Sequence, residues 1–262
     1  MLFKIKSYIK FFISGTSKYS VHSPFLHHFI QDVLDHGGIF YCFPAIELVR
    51  KKVSQDKKTI KKSDLGAGSS YGNKNVIPIN QILKQEQSSP KKAKLLFKMV
   101  NYFKPEKVLE MGTSLGFTTA YLANARKKNE VLSVEADKQK CKIASITIKS
   151  LGIKNVKIIN SSFSDLIEKA KHWNFNFIYF DGNHTEKATL SYFNWAVEKV
   201  SENDVFVFDD IYWSKEMHNA WAAIINHEKP TLTLDLFSMG IVFFNPNLSK
   251  QHIKLIHTSN FY

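Results

Sequence analysis

The sequence predicts an α/β fold: a parallel sheet covered by helices on both faces, preceded by a helical cap. From residue 107 onward, short apolar runs alternate with stretches of helical periodicity. The runs are too continuously apolar for strands with one wet face, so they read as strands buried on both sides. The first hundred residues show helix starts without that alternation. This places a helical cap and loop region at 1–104 and an α/β domain at 105–262.

Two Ser-Pro pairs mark helix starts in the cap. Ser23 caps a helix whose first position is Pro24 and which runs through Phe25, Phe29 and Val33 to a stop at Gly37. Ser89 and Pro90 repeat the device for a helix carrying Leu95, Leu96, Met99, Val100 and Phe103 that ends before Pro105. Residues 51–90, rich in Lys, Ser, Asn and Gln, read as an exposed connection. Strands are predicted at 108–111, 131–135, 156–160, 175–181 and 204–210. Helices are predicted at 117–128, 138–151, 163–171, 186–199 and 214–227. The strands 231–236 and 239–244, separated by a tight connection, read as a closing antiparallel pair.

A chain of 262 residues with 44% hydrophobic content can bury a full core. Cys42 and Cys141 are its only cysteines, which indicates neither a disulfide framework nor a zinc knuckle and fits a reducing cytoplasm. The net charge of +13 invites a nucleic-acid reading, but of 36 basic residues only Arg50 and Arg126 are arginine. Phosphate and guanine recognition favours the guanidinium fork, so nucleic acid is not the expected partner. No apolar run approaches the ~18 residues needed to span a bilayer. Leu2, Ile5, Ile9, Phe12 and Ile13 fall at helical spacing among Lys4, Lys6 and Lys10. They read as a terminal helix docked on its own domain, with contact to a membrane surface as the alternative. Oligomeric state leaves no pattern, and a homodimer stays open.

The chemistry concentrates between Val108 and Asp210. A buried strand ends near Glu110, then a turn carries Gly112, Thr113, Ser114 and Gly116 and opens a helix. Small residues let backbone approach a ligand, and the helix N-terminus supplies N–H donors. Glu135 ends the next strand 23 residues after Gly112, where a carboxylate can accept both hydroxyls of a ribose. The segment Asp64-Leu65-Gly66-Ala67-Gly68 imitates this turn, yet the KKTIKKS before it cannot be a buried strand, so it reads as a loop. Asp181 ends the fourth strand in DGNH, and Asp209 with Asp210 end the fifth. Three carboxylates sharing one sheet edge would repel unless a cation or hydrogen bonds offset the charge, and oxygen donors suit Mg²⁺. The alternative is that Asp209 or Asp210 caps the helix near Ser214. His184, three residues past Asp181, can serve as a general base or simply precede a helix cap.

ExGxSxG after a strand, Glu135, the Asp181 of DGNH and the Asp209-Asp210 pair together resemble the class I S-adenosylmethionine-dependent methyltransferases of the catechol O-methyltransferase-like group, over residues 105–245. The resemblance implies a Rossmann-like, seven-stranded sheet of order 3-2-1-4-5-7-6 with the last strand antiparallel. It implies S-adenosylmethionine held by Glu110 and the glycine turn, by Glu135 with Ala136, by Ser161 and Ser162 at the adenine, and by Asp181. It also implies Asp181, Asp209 and Asp210 as Mg²⁺ ligands. O-methylation of a small-molecule hydroxyl is the expected activity, with Asp181 and His184 catalytic. Catechol-type members carry a lysine base where this chain offers His184, so a catechol is not implied. An RNA methyltransferase would show an NPPY-like tetrapeptide where DGNH stands, and an NAD(P)-binding protein a glycine at Ser114. A non-catalytic protein on the same fold would have little reason to keep every carboxylate.

Overall fold

A computed structural model describes residues 2–61, 76–170 and 173–257, which gather into two compact units, Met1–His36 with His172–Tyr262 and Gly37–Lys171. The Asp64–Gly68 imitation of the glycine turn lies outside the described residues. Among the described residues no helix is long and apolar enough to cross a membrane.

The chain opens with helix α1 (Leu2–Ser14), and the periodicity that predicts it is double-faced. Phe11 is buried at 1% exposure against Tyr212 and Phe237, while Tyr8 meets Phe237 and Phe3 meets His218. The face that the sequence pattern assigned to docking, Leu2, Ile5, Ile9, Phe12 and Ile13, points outward at 52–79% exposure. The docked side carries Phe3, Tyr8 and Phe11, whose rings meet His218, Tyr212 and Phe237. A short strand β1 (Thr16–Ser17) follows, then α2 (Pro24–Phe29), whose Ser23 cap accepts from the Leu26 amide at 3.4 Å. A π-helical turn, Ile30–Leu34, continues it.

The Gly37–Lys171 unit begins with α3 (Cys42–Ser54). The expected exposed connection at 51–90 is instead partly structured: β2 (Thr59–Lys61) pairs antiparallel with β3 (Val76–Pro78), and α4 (Ile79–Gln85) follows. Ile60, Ile77, Ile79, Ile82 and Leu83 are buried. Ile60 pairs with Ile77 across the hairpin, and Ile79, Ile82 and Leu83 fall at helical spacing, so few apolar residues suffice among Lys and Gln. Helix α5 (Pro90–Phe103) starts at the Ser89 cap and ends at Lys104 in a left-handed conformation, φ 53°. The α/β part then runs β4 (Lys107–Met111), α6 (Phe117–Asn124), β5 (Glu130–Glu135), α7 (Lys138–Ser150), β6 (Val156–Asn160) and α8 (Phe163–Lys169). Its strands are parallel in the order β6-β5-β4, with Met111 beside Val134 and Glu135 beside Asn160.

The other unit resumes with β7 (Phe177–Phe180), α9 (Glu186–Val197), β8 (Val205–Asp209), α10 (Lys215–Asn226), β9 (Leu232–Asp235), β10 (Met239–Phe243) and β11 (Gln251–Ile256). The order β7-β8-β10-β9 carries the expected reversal, β10 lying antiparallel to both neighbours. Beyond it come two strands the sequence pattern did not single out, β11 parallel to β9 and β1 parallel to β11. The fold is therefore the predicted α/β Rossmann-like one, with an extended edge.

Gly240 in β10 has no room for a side chain, since an added Cβ would lie 2.5 Å from the ring of Trp221, itself 1% exposed. Gly240→Ala should destabilise the protein by about 1–3 kcal/mol through overpacking. The readout is a lower urea midpoint at unchanged slope; an unshifted midpoint would show that the indole yields.

Candidate functional site

The Gly37–Lys171 unit holds the glycine turn. After β4 the chain reverses through three left-handed positions, Gly112 at φ 117°, Ser114 at φ 46° and Gly116 at φ 82°. Gly112 and Thr113 both donate their amides to the carbonyl of Val134, and the Gly116 amide closes onto Thr113. Gly116 is then the N-cap of α6, and a Cβ there would stand 3.0 Å from Ala144 Cβ on α7. Glycine is thus required at 116 for both conformation and packing. Ser114 adopts the same region with a side chain, and its Oγ is buried without a hydrogen-bond partner.

Glu135, at the end of β5, is tied to this turn. Its Oε2 accepts the Ser114 amide at 2.9 Å and its Oε1 the Asp137 amide at 2.9 Å. Burial pushes its pKa up, while Lys140 and the two amides pull it down. Its main-chain carbonyl takes the Ser161 amide and the Asn160 side chain, which also reaches the carbonyl of Ala136. Ser162 caps α8 through the Asp165 amide, and Ser161 Oγ donates to the Ser162 carbonyl. The cofactor candidates Gly112, Thr113, Ser114, Gly116, Glu135, Ala136, Ser161 and Ser162 are consequently one hydrogen-bonded set following three adjacent parallel strands.

Glu110 lies behind that set rather than on its surface, with no exposure at all. The hydroxyls of Thr119 and Ser133 donate to its Oε2, leaving Oε1 without a partner. Burial outweighs the two hydroxyls and pushes its pKa up to about 8. Thr119 and Ser133 escaped sequence analysis; the signal was a small hydroxyl in each element flanking a buried acid.

In the other unit Asp181 follows β7 and Asp209 ends β8. Tyr179, on the same strand face as Asp181, donates its hydroxyl to Asp181 Oδ2 at 3.1 Å and to Asp209 Oδ2 at 2.8 Å. Asp209 Oδ1 accepts the Asp210 amide, and Asp210 adopts a left-handed conformation, φ 51°, with its amide also on the Ser238 carbonyl. The expected Mg²⁺ trio is therefore not assembled: the donors do not fit a cation, and among the described residues no group of three or more His, Cys, Asp or Glu is disposed to hold one. The physical reason is Tyr179, whose hydroxyl sits between two carboxylates that a cation would otherwise have to reconcile. Period-two alternation along FIYFD puts Tyr179 beside Asp181 and could have revealed it. His184 Nε2 stands 3.8 Å from Asp181 Oδ1, with both side chains partly accessible. Neither Asp209 nor Asp210 is the cap of α10; Ser214 is, through the Met217 amide.

A glycine turn fastened to an acidic strand end is the arrangement that the resemblance to the class I S-adenosylmethionine-dependent methyltransferases leads one to expect. Residues 109–211 match the family model described as a methyltransferase domain, and the chain carries such a domain. No curated protein matches the chain in sequence. Among solved structures it is similar to an O-methyltransferase from Bacillus cereus in complex with SAH, at TM-score 0.56 and 16% identity, covering 83% of this chain and 96% of that one. It is also similar to the SAH-bound methyltransferase PaMTH1 of Podospora anserina, at TM-score 0.59 and 12% identity, covering 86% and 97%. A third likeness is the O-methyltransferase TomG from Streptomyces achromogenes, in complex with SAM, at TM-score 0.54 and 14% identity, covering 61% and 82%.

Glu110 provides a pH test of the buried arrangement. Between an unfolded value near 4.5 and the folded value of about 8, the unfolded chain releases a proton that the folded chain keeps. Stability should therefore fall across that window, by at most about 1.4 kcal/mol per pH unit, and level off above it. Glu110→Gln, the neutral isostere, should flatten this slope in urea midpoints taken from about pH 5 to about pH 8. An unchanged slope would mean that Glu110 is ionised inside the fold.

Proposed function

We propose that the protein transfers the methyl group of S-adenosylmethionine to a hydroxyl oxygen of a small molecule. The observation that carries the reading is the Glu135 carboxylate, which holds the Gly112–Gly116 turn by one oxygen and the turn before α7 by the other. The residues fit the cofactor. Glu135 has lone pairs beyond those two bonds for ribose hydroxyls. The left-handed turn keeps side chains out of the way of a close ligand, and the unpartnered Ser114 Oγ leaves polar capacity within the turn. Ser161 and Ser162 are assigned to the adenine and Ala136 to the sugar side. The cofactor supplies an electrophilic methyl group on a sulfonium.

The protein's part is to bind the acceptor, orient it and take its proton. His184 is assigned as the general base, because a neutral imidazole accepts a hydroxyl proton and the Asp181 carboxylate 3.8 Å away stabilises the imidazolium that results. Asp181 also belongs to the cofactor-binding set that the family resemblance implies. No step is assigned to a metal, since the Asp181, Asp209 and Asp210 donors do not fit one. That the Bacillus cereus and Streptomyces achromogenes neighbours are O-methyltransferases supports oxygen as the accepting atom.

Calorimetric titration of the full chain with S-adenosylhomocysteine should show binding that Glu135→Ala weakens at least tenfold, about 1.4 kcal/mol. A wild-type protein with no affinity for that compound would sink the reading. In a tritiated-methyl assay against pools of small phenols and alcohols, with RNA as a separate arm, label should appear in the small molecules. His184→Ala should lower kcat by about 10²–10⁴-fold while sparing S-adenosylhomocysteine affinity. EDTA should leave the rate unchanged, and inhibition reversed by Mg²⁺ would overturn the fit argument.

A further inference from the structure

A cavity of about 630 Å³ lies in the Gly37–Lys171 unit between α3 and α4, and neither the cofactor set nor the proposed reaction uses it. Its wall carries three cations, Arg50, Lys51 and Lys84, against one carboxylate, Glu47, with the amides of Asn80 and Gln81 beside them. Glu47 is already engaged, accepting the Tyr121 hydroxyl at 2.5 Å. The guanidinium carbon of Arg50 lies over Phe117, 5.5 Å from the ring centre. The edge of a guanidinium is the fork that matches an oxyanion. That edge is incomplete: Arg50 Nη1 is buried and has no hydrogen-bond partner among the described residues.

A buried donor without an acceptor costs about 1–3 kcal/mol, more when the group is charged, so such atoms call for an explanation. We propose that this cavity binds the phosphate monoester group of a small organic molecule. Three positive side chains against one negative leave two charges unmatched, and a phosphate monoester carries close to two negative charges near neutral pH. The volume falls within the ~300–1,000 Å³ of small-molecule sites and far exceeds what a bare ion fills. Asn80, Gln81 and the apolar Leu83 are there for the organic remainder. Burial lowers the Arg50 pKa, and a bound dianion would offset that cost. The inference does not rest on the methyltransferase reading.

The test is calorimetry of the full chain with phenyl phosphate, inorganic phosphate, phenol and succinate. Phenyl phosphate should bind at one per chain, and phenol and succinate at least tenfold more weakly. Binding of inorganic phosphate as tight as that of phenyl phosphate would overturn the organic component, and equal affinity for succinate would overturn the phosphate. Arg50→Gln and Lys84→Gln should each weaken phenyl phosphate at least tenfold while leaving S-adenosylhomocysteine binding unchanged. Lys84 is exposed, so its variant tests the site even if Arg50→Gln fails to fold. No binding of phenyl phosphate to the wild type, or unaltered affinity in Lys84→Gln, would overturn the proposal. Absence of S-adenosylhomocysteine binding in the wild type would instead strike the cofactor reading and leave this one standing.

Discussion

One carboxylate fastens the cofactor half of the molecule. Glu135 receives the amide of Ser114 on one oxygen and that of Asp137 on the other, while its carbonyl receives Ser161 and Asn160. The turns after β4, β5 and β6 are thereby referred to a single residue. A left-handed Ser114 is an unfavourable conformation for a residue with a side chain, and the bond from its amide to Glu135 helps to hold it. The same bonds keep Glu135 oriented before any ligand arrives, so less ordering would be required on binding.

Several buried acidic side chains are settled by hydroxyls and amides, whereas Asp35 and Glu86, nearer the surface, pair with Lys18 and Lys140. Glu110 takes the hydroxyls of Thr119 and Ser133; Asp181 and Asp209 share that of Tyr179. Asp235, with no exposure and a pKa pushed up to about 6 mainly by burial, takes the Tyr212 hydroxyl at 2.7 Å and the Phe237 amide at 2.7 Å. Hydroxyl donors suit such positions because they satisfy an acid in either protonation state, whereas a lysine would have to be desolvated beside it. The abundant lysines accordingly stay mostly at the surface.

Local patterns made much of this legible. The Ser23 and Ser89 caps, the parallel strands β4, β5 and β6 of one unit and β7 and β8 of the other, and the reversed β10 all follow from short-range signals: capping chemistry, apolar runs and tight turns. What escaped depends on partners distant in sequence. β11 is only half-buried along most of its length and lacks an apolar run, so its pairing with β9 left no local trace. In α1 two apolar faces compete, and periodicity alone could not show that Phe3, Tyr8 and Phe11 take the inner one. The 51–90 segment hid four consecutive-element anchors, Ile60, Ile77, Ile79 and Ile82, in a polar background.

The two halves of the site were unequally readable for a chemical reason. The glycine turn works through backbone geometry, and backbone geometry is dictated by residue types that admit few substitutes: glycine at φ 82° against Ala144 Cβ, a carboxylate within reach of two amides. The acidic strand ends work through side chains, whose role changes with a single neighbour. Between Asp181 and Asp209 lies the one hydroxyl of Tyr179, which no motif of carboxylates announces. A motif of carboxylates therefore specifies a metal only together with the residues that could displace it.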